Sequence, residues 1–203
     1  MTDDESVDIL PLLDELRAIG QNGLMDADSP YDRERNERLL ELASEYYGKT
    51  IDVPPAEVQD RLEKELGYAT AKVGAGAAVF NDDGKILLVN RADNRKWGFP
   101  AGGVEPNESA AEAAVRETKE EAGVDVRVDE LIGVSHREAG KSSPHSIIHL
   151  QYLCERTDGR LQPSHETEDV RYWDIDDVPV WHPGSRKLAT DAYELWSEMN
   201  EKQ

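Results

Sequence analysis

Apolar residues in the first third of the chain recur at steps of three and four, as they do on one face of an α-helix. This spacing predicts a first helix over Ile9–Ile19, with Gly20 at the position where a helix often ends. A second helix should begin after the N-cap Ser29 and stop at Gly48, and a third should cover Pro55–Gly67. Three short helices are marginal alone, so we expect them to pack on the rest of the chain or on a second copy.

Further along, the pattern changes to short apolar runs that are typical of strands. Val73–Phe80 and Lys85–Arg91 are separated by an Asn-Asp-Asp-Gly turn, which predicts a hairpin. A helix should follow the capping box formed by Ser109 and Glu112 and end at Gly123. The remaining predicted elements are strands at Val124–Val128, Leu131–Arg137, Ser146–Cys154 and Val170–Trp173, and a helix at Ser185–Met199. This pattern indicates an α+β body in which strands outnumber helices.

The charge balance narrows the classes of partner. The 203 residues include 23 Lys and Arg against 43 Asp and Glu, for a formal net charge of −20. Such a surface repels phosphate at long range, which argues against nucleic acids and anionic membranes as partners. No apolar run reaches the ~20 residues of a membrane span, and the acidic start lacks a secretory n-region. With one cysteine, Cys154, no intrachain disulfide can form, and we expect a soluble, cytoplasmic protein.

The acidic residues are spread along the whole chain, and arginine outnumbers lysine among the cations. This distribution resembles the composition of proteins from salt-loving microbes, in which molar salt screens self-repulsion. The other interpretation is an ordinary acidic protein. The sequence leaves both interpretations open. Of the two, we expect a halophilic protein.

One predicted helix carries a cluster of carboxylates. Glu117, Glu120 and Glu121 are three and four residues apart, so they project from neighbouring positions on one helical face. Three such groups repel each other, and a divalent cation such as Mg²⁺ would relieve that repulsion. Arg116 can brace the cluster from the side. Taken alone, a Glu-rich helix with interleaved cations is more often a solvated surface.

The wider spacing around this helix resembles the Nudix box, Gly-x5-Glu-x7-Arg-Glu-U-x-Glu-Glu-x-Gly-U with U aliphatic. The matching positions are Gly102, Glu108, Arg116, Glu117, Glu120, Glu121, Gly123 and Val124. Thr118 replaces one aliphatic residue; it is β-branched and falls within the apolar stripe, so we expect a small packing cost. The chain therefore resembles members of the Nudix family.

The resemblance implies a fold and a reaction. The fold would be a Nudix α/β/α sandwich with a mixed β-sheet over residues 68–203, preceded by a small all-helical domain over residues 1–67. That leader is similar to the N-terminal extension of a subgroup that resembles CDP-choline and ADP-ribose pyrophosphatases, which are commonly dimers. Family members hydrolyse a nucleoside diphosphate linked to a group X. The implied products are a nucleoside monophosphate and phosphorylated X, and the implied state is a homodimer.

The resemblance also assigns roles to residues. The implied Mg²⁺ ligands, with Mn²⁺ as a substitute, are the Ala101 carbonyl and the side chains of Glu117, Glu120 and Glu121. The implied catalytic groups are Glu120, Glu121 and Glu166. The residues implied to be structural are Gly102, Glu108, Arg116 and Gly123.

Contacts to the substrate are less specific in the sequence. Arg91 and Arg186 are candidate phosphate contacts because the guanidinium fork suits phosphate, although an arginine in either place is more often an ordinary surface residue. Trp97 could stack on a base, or be buried in the fold.

Three functional classes are consistent with these patterns. The first is the Mg²⁺-dependent pyrophosphohydrolase, and the second is a non-catalytic nucleotide sensor that keeps the same fold. The complete carboxylate set favours the enzyme, because a sensor has no need of all three groups. The third, a hydrolase acting on RNA 5′ ends, is disfavoured by the negative charge.

Overall fold

The computed structural model describes residues 9–63, 69–105, 107–140, 143 and 145–201. The chain forms two compact units. One contains the residues up to Lys72 together with 136–147, and the other contains residues 73–135 and 148–203. The domain boundary that we predict at 67/68 lies outside the described residues. No helix in the described part of the chain is long and apolar enough to cross a membrane.

The first unit is built on three helices, α1 (Leu10–Met25), α2 (Pro30–Ile51) and α3 (Pro55–Glu63). The predicted start of α2 is confirmed, since the Ser29 hydroxyl accepts a hydrogen bond from the Asp32 amide at 3.1 Å. The apolar core of this unit contains Leu10, Leu13, Ala43, Tyr47, Val58 and Leu62.

The predicted ends of the first two helices are wrong. α1 passes through Gly20 and continues to Met25. A Cβ on Gly20 would lie 2.9 Å from the Leu40 side chain, so this glycine allows α2 to approach closely. α2 continues past Gly48 to Ile51 and ends at Asp52, which has a left-handed backbone with φ 56°. The predicted end of α3 at Gly67 lies outside the described residues.

A buried polar network ties residues 145–146 to α1. Asp14 accepts hydrogen bonds from the Arg17 guanidinium at 3.0 and 3.1 Å and from the Ser146 amide at 3.1 Å. Its carboxylate also lies 3.0 Å from His145 Nδ1. Arg17 is buried and donates a further hydrogen bond to Gln21 at 2.8 Å. The network therefore satisfies a charged pair that lies inside this unit.

In the residues that the structure describes, the second unit contains two small sheets and two long helices. The strand order is β4-β1-β6-β5 in one sheet and β3-β2-β7 in the other. The strands are β1 (Lys72–Val79), β2 (Ile86–Arg91), β3 (Trp97–Gly98), β4 (Ala101–Gly103), β5 (Val124–Arg137), β6 (Ile147–Gly159) and β7 (Thr167–Trp173). The helices are α4 (Ala110–Ala122), a short 3₁₀ helix (Ile175–Asp177) and α5 (Ser185–Asn200). The expected combination of sheet and helices, preceded by a helical segment, is confirmed.

The two larger apolar clusters of this unit pack its helices on its strands. Core 1 contains Ala78, Phe80, Ile86, Leu88, Trp97, Phe99, Leu153, Val178, Ala189 and Ala192, so α5 packs on it. Core 2 contains Ala77, Val79, Leu87, Val89, Ala122, Val124, Val126, Cys154 and Val170, so the end of α4 packs on it. Successive residues of β1 and β2 alternate between the two clusters, as the side chains of a strand do.

Several predicted elements need adjustment. Residues 124–137 form one continuous strand, β5, where the sequence suggested two. β6 extends past Cys154 to Gly159. The two short strands β3 and β4 carry little apolar periodicity and were not predicted.

Candidate active site

Both ends of α4 are fixed by local hydrogen bonding, and both match the sequence prediction. Ser109 and Glu112 form the reciprocal capping box at the start, and Gly123, with φ 78°, ends the helix. Thr118 is fully buried, and its hydroxyl donates a hydrogen bond to the Ala114 carbonyl at 2.7 Å. Because Thr118 is buried together with Ala113, Ala114 and Ala122, this face of the helix packs inward, and that packing decides where the carboxylates point.

The three carboxylates have different environments. Glu121 is 5% exposed, the Glu117 side chain is 14% exposed and the Glu120 side chain is 59% exposed. Glu121 and Glu117 therefore face the protein at the strand β4 side, while Glu120 points largely to solvent. The sequence spacing predicted one face for all three, but not this gradient in burial.

Glu121 accepts a hydrogen bond from the Ala101 amide, with 2.9 Å between Ala101 N and Glu121 Oε2. Burial raises the pKa of Glu121 to about 7, and the negative charges of Glu117 and Glu166 raise it further. The Ala101 hydrogen bond and the positive charge of Arg91 oppose this shift in the pKa. Negative charge is thus concentrated here without enough cation to balance it.

Glu117 approaches strand β4 closely at Gly102. A Cβ on Gly102 would overlap the Glu117 carboxylate, so a side chain there would displace it. The glycine that the sequence motif placed here therefore makes room for the carboxylate itself.

Arg116 links the carboxylates to the loop before the helix. Its guanidinium donates to both Glu108 oxygens at 2.8 and 3.0 Å, to Glu117 Oε1 at 2.8 Å and to Glu120 Oε2 at 3.1 Å. It also donates to the Gly103 carbonyl at 2.9 Å. The planar fork holds several acceptors at once, which a lysine could not do.

Glu166 and Arg91 lie near this cluster, since the charge of each acts on Glu121. The Ala92 amide donates to the Glu166 carbonyl at 2.9 Å, which joins the segments that carry the two residues. Arg91 forms an ion pair with Asp93 at 3.1 Å. Sequence reasoning missed Thr167, whose buried hydroxyl donates to the Glu121 carbonyl at 3.1 Å and holds the Glu166 segment against the end of α4.

Two other predicted substrate contacts are placed differently. Trp97 is 5% exposed within core 1, with its ring 5.1 Å from that of Trp173, so it does not present a free face for stacking. Arg186 is exposed at the start of α5, where it pairs with Asp176 at 3.2 Å. Its contact with phosphate stays a prediction.

The donor atoms suit a hard cation. Carboxylate and carbonyl oxygens are the ligands that Mg²⁺ prefers, and the buried, charge-crowded Glu121 would be relieved by one. As the side chains stand, no group of three or more His, Cys, Asp or Glu in the described residues is arranged to hold a metal ion. Glu117 and Glu120 are instead held by Arg116.

Comparison with known proteins gives consistent results for both segments. A family model described as "NUDIX domain" matches residues 70–192. A second, described as "UDP-X-like, N-terminal oligomerisation domain", matches residues 8–62.

Individual relatives cover most of the chain. YjhB of Bacillus subtilis (strain 168) is 34% identical over 174 residues, which span 83% of this chain and 81% of that protein. The structure titled "Crystal structure of UDP-X diphosphatase" superposes with a TM-score of 0.57 at 27% identity, over 93% of this chain and 95% of that one. An ADP-ribose pyrophosphatase from Streptococcus suis 89-1591 superposes with a TM-score of 0.54 at 29% identity, over 63% of this chain and 92% of that one. The NUDIX domain match covers more than half of the chain and includes the carboxylate helix α4. The chain therefore belongs to the Nudix hydrolase family.

Proposed function

We propose that the protein is a Mg²⁺-dependent pyrophosphohydrolase that cleaves nucleoside diphosphate-X compounds of the ADP-ribose or CDP-choline type. The products would be a nucleoside monophosphate and phosphorylated X. The likeness to the Streptococcus suis ADP-ribose pyrophosphatase and to the UDP-X diphosphatase supports this substrate class. The observation that carries the proposal is the convergence of Glu117 and buried Glu121 on strand β4.

The proposed metal ligands are the Ala101 carbonyl and the carboxylates of Glu117, Glu120 and Glu121. When bound, Mg²⁺ would neutralise the charge of the pyrophosphate during hydrolysis, with Mn²⁺ able to replace it. Arg116 holds the carboxylates of Glu117 and Glu120 at the cluster, and these two side chains would have to rearrange from this pairing to bind the ion.

One of three carboxylates and one arginine are assigned to the reaction itself. We assign to Glu120, Glu121 or Glu166 the task of accepting a proton from the attacking water. Arg91 supplies positive charge near Glu121 and is proposed to contact the substrate phosphates. In a chain with a net charge of −20, such local cations are needed to attract an anionic substrate.

We further propose that residues 1–67 form a domain for dimerisation and substrate recognition and that residues 68–203 form the catalytic domain. Large apolar side chains are exposed on the helices of the first unit, including Leu12 and Ile19 on α1 and Tyr46 on α2. The match to an N-terminal oligomerisation domain supports a homodimer. Light scattering tests this, and a monomer across the micromolar range would contradict it.

The test of the activity compares Glu121→Gln with Glu194→Gln, which makes the same change on the exposed face of α5. Both are assayed with ADP-ribose and CDP-choline in Mg²⁺, at low and high KCl, with products identified by mass. We expect the first variant to lose at least about 100-fold in kcat and the second to keep full activity. Equal turnover by both variants would refute the catalytic assignment, and nucleotide binding without any turnover would favour the sensor.

A further inference from the structure

The C-terminal end of α4 is bonded to the chain that leads from β6 into β7. The last carbonyl groups of an α-helix have no partner within the helix and must find one elsewhere. The Ala122 carbonyl accepts a hydrogen bond from the Gln162 amide at 3.0 Å. The Glu121 carbonyl accepts one from the Thr167 hydroxyl at 3.1 Å. This part of the chain is therefore joined to the helix that carries the candidate metal ligands.

Thr167, the first residue of β7, uses its hydroxyl oxygen twice. Its exposed fraction is 4%. The oxygen that donates to Glu121 also accepts a hydrogen bond from the Ser164 amide at 2.8 Å. Valine has nearly the same shape as threonine but can make neither bond. The turn of residues 164–167 therefore owes its contact with Glu121 to this one oxygen.

Glu166 lies within this turn, and its backbone is held from both sides. Its amide donates to Ser164 Oγ at 3.1 Å, and its carbonyl accepts from the Ala92 amide at 2.9 Å. Its side chain is 64% exposed, with Oε1 3.5 Å from Nε2 of His165. The backbone is thus held in place while the carboxylate stays accessible, which suits a group that acts on a bound substrate.

Arg91 is placed in a different way, by the pairing of main chains. Arg91 and Thr167 are partners in the β2–β7 ladder, beside the register shift that follows Asn90. Hydrogen bonds of a ladder join backbone groups, so this pairing does not need the Thr167 hydroxyl. The hydroxyl therefore bears on Glu166 and not on the proposed phosphate contact of Arg91.

We infer that Thr167 is a positioning residue, whose hydroxyl holds the turn against α4 and thereby sets the distance of Glu166 from the candidate metal ligands. This inference rests on the proposed function and deepens it, because it names a residue outside the Nudix box on which the reaction depends. A misplacement of about 1 Å at a reacting group can cost about 100-fold in rate. One hydrogen bond at this point is therefore enough to affect turnover.

The test compares Thr167→Val, which removes the hydroxyl, with Thr167→Ser, which keeps it. The substrates are ADP-ribose and CDP-choline in Mg²⁺. We expect the valine variant to lose at least about tenfold in kcat with KM within about threefold of wild type, because Arg91 stays in place. The serine variant should keep kcat within about threefold. Unchanged kcat in the valine variant would overturn the inference.

Thr190→Val is the matched control. The Thr190 hydroxyl also donates to a backbone carbonyl, that of Arg186 at 3.2 Å, but it lies on the exposed face of α5. This variant should have wild-type kinetics. Should Thr167→Val fail to fold, Ser164→Ala makes the same test, because it removes the oxygen that accepts from the Glu166 amide. Its kcat should fall in the same direction, and a wild-type kcat would contradict the inference.

A double-mutant cycle separates positioning from general damage to the fold. If Thr167 acts through Glu166, its hydroxyl has nothing left to position once Glu166→Gln has removed the carboxylate. Adding Thr167→Val to that variant should then cost less than about twofold in kcat. Losses that multiply would mean that the hydroxyl acts on the fold and not through Glu166. A wild-type kcat in Glu166→Gln alone would also refute the inference.

Amide hydrogen exchange tests the same point without turnover. In Thr167→Val the Glu166 amide should exchange faster, because the turn that carries its acceptor has lost its contact with α4. The Ala101 amide, which is bonded to the Glu121 carboxylate, should keep its wild-type exchange. Wild-type exchange at Glu166 would show that the hydroxyl does not hold the turn.

Failure of the inference and failure of the proposed function give different results. Hydrolysis that is lost in Glu121→Gln but unchanged in Thr167→Val would support the function and refute the role of Thr167. Absence of turnover of either diphosphate by the wild type would refute the proposed function and, with it, the inference that rests on it.

Discussion

Replacing Glu121 by glutamine should stabilise the protein in a way that depends on pH. The wild-type carboxylate is 5% exposed and stands close to the negative charges of Glu117 and Glu166. Burial is the largest cause that raises the pKa of Glu121 from its ordinary value of 4.5 to about 7, and these two charges raise it further. A neutral amide of nearly the same shape can still accept the Ala101 hydrogen bond, and it removes the buried charge.

The size and sign of the effect follow from proton linkage. Between pH 4.5 and pH 7 the folded protein keeps the Glu121 proton while the unfolded chain has lost it, so the free energy of unfolding falls as pH rises. At about 1.4 kcal/mol per pH unit, the ionised carboxylate costs about 3 kcal/mol above pH 7. The variant lacks this cost. Its advantage over wild type should be near zero at pH 4.5 and should approach about 3 kcal/mol at pH 8.

Urea denaturation in EDTA at constant salt measures this difference at pH 5, 6, 7 and 8. Titrations of groups distant from Glu121 are common to both proteins and cancel in the comparison. Glu194→Gln, which makes the same change at an exposed position of α5, is the matched control. A constant difference between the Glu121 variant and wild type, or one that grows towards acid pH, would refute the argument.

Three further predictions test the surroundings of the site and the rest of the chain. Gly102→Ala should lower kcat by about 100-fold because its methyl group would displace Glu117, whereas Gly133→Ala, where a Cβ meets no atom within 4 Å, should have normal kinetics. Asp14→Asn should lower the free energy of unfolding by about 3 kcal/mol because it leaves the buried Arg17 guanidinium without its counter-charge. In the same urea titration, Glu41→Gln, which removes the partner of the exposed Arg38, should cost only about 0.5 kcal/mol. If the acidic surface is halophilic, circular dichroism should show the folded fraction rising with KCl, and full stability at low salt would contradict this.

The elements with strong local signals were predictable from the sequence. The start of α2 at Ser29 and both ends of α4 depend on hydrogen bonds between residues three or four apart, or on a single left-handed glycine. The carboxylate helix was recognised for the same reason, since its spacing places Glu117 and Glu121 on neighbouring positions.

Features that depend on long-range packing were not predictable. Gly20 reads locally as a helix end, yet it lies within α1 because α2 packs against it. The burial of Trp97 depends on a ring from β7, and the contact of Thr167 with Glu121 joins residues 46 positions apart. The difference in burial between Glu120 and Glu121 likewise depends on how α4 packs on the sheet.

The buried carboxylate that destabilises the second unit lies at the candidate active site. Glu121 is 5% exposed, and its partner, the Ala101 amide, belongs to strand β4. Elsewhere in the same unit, both cores are apolar and the ends of α4 are satisfied. Local rules are commonly broken where a ligand completes the site. Glu121→Gln should therefore keep or gain stability and lose function in kcat.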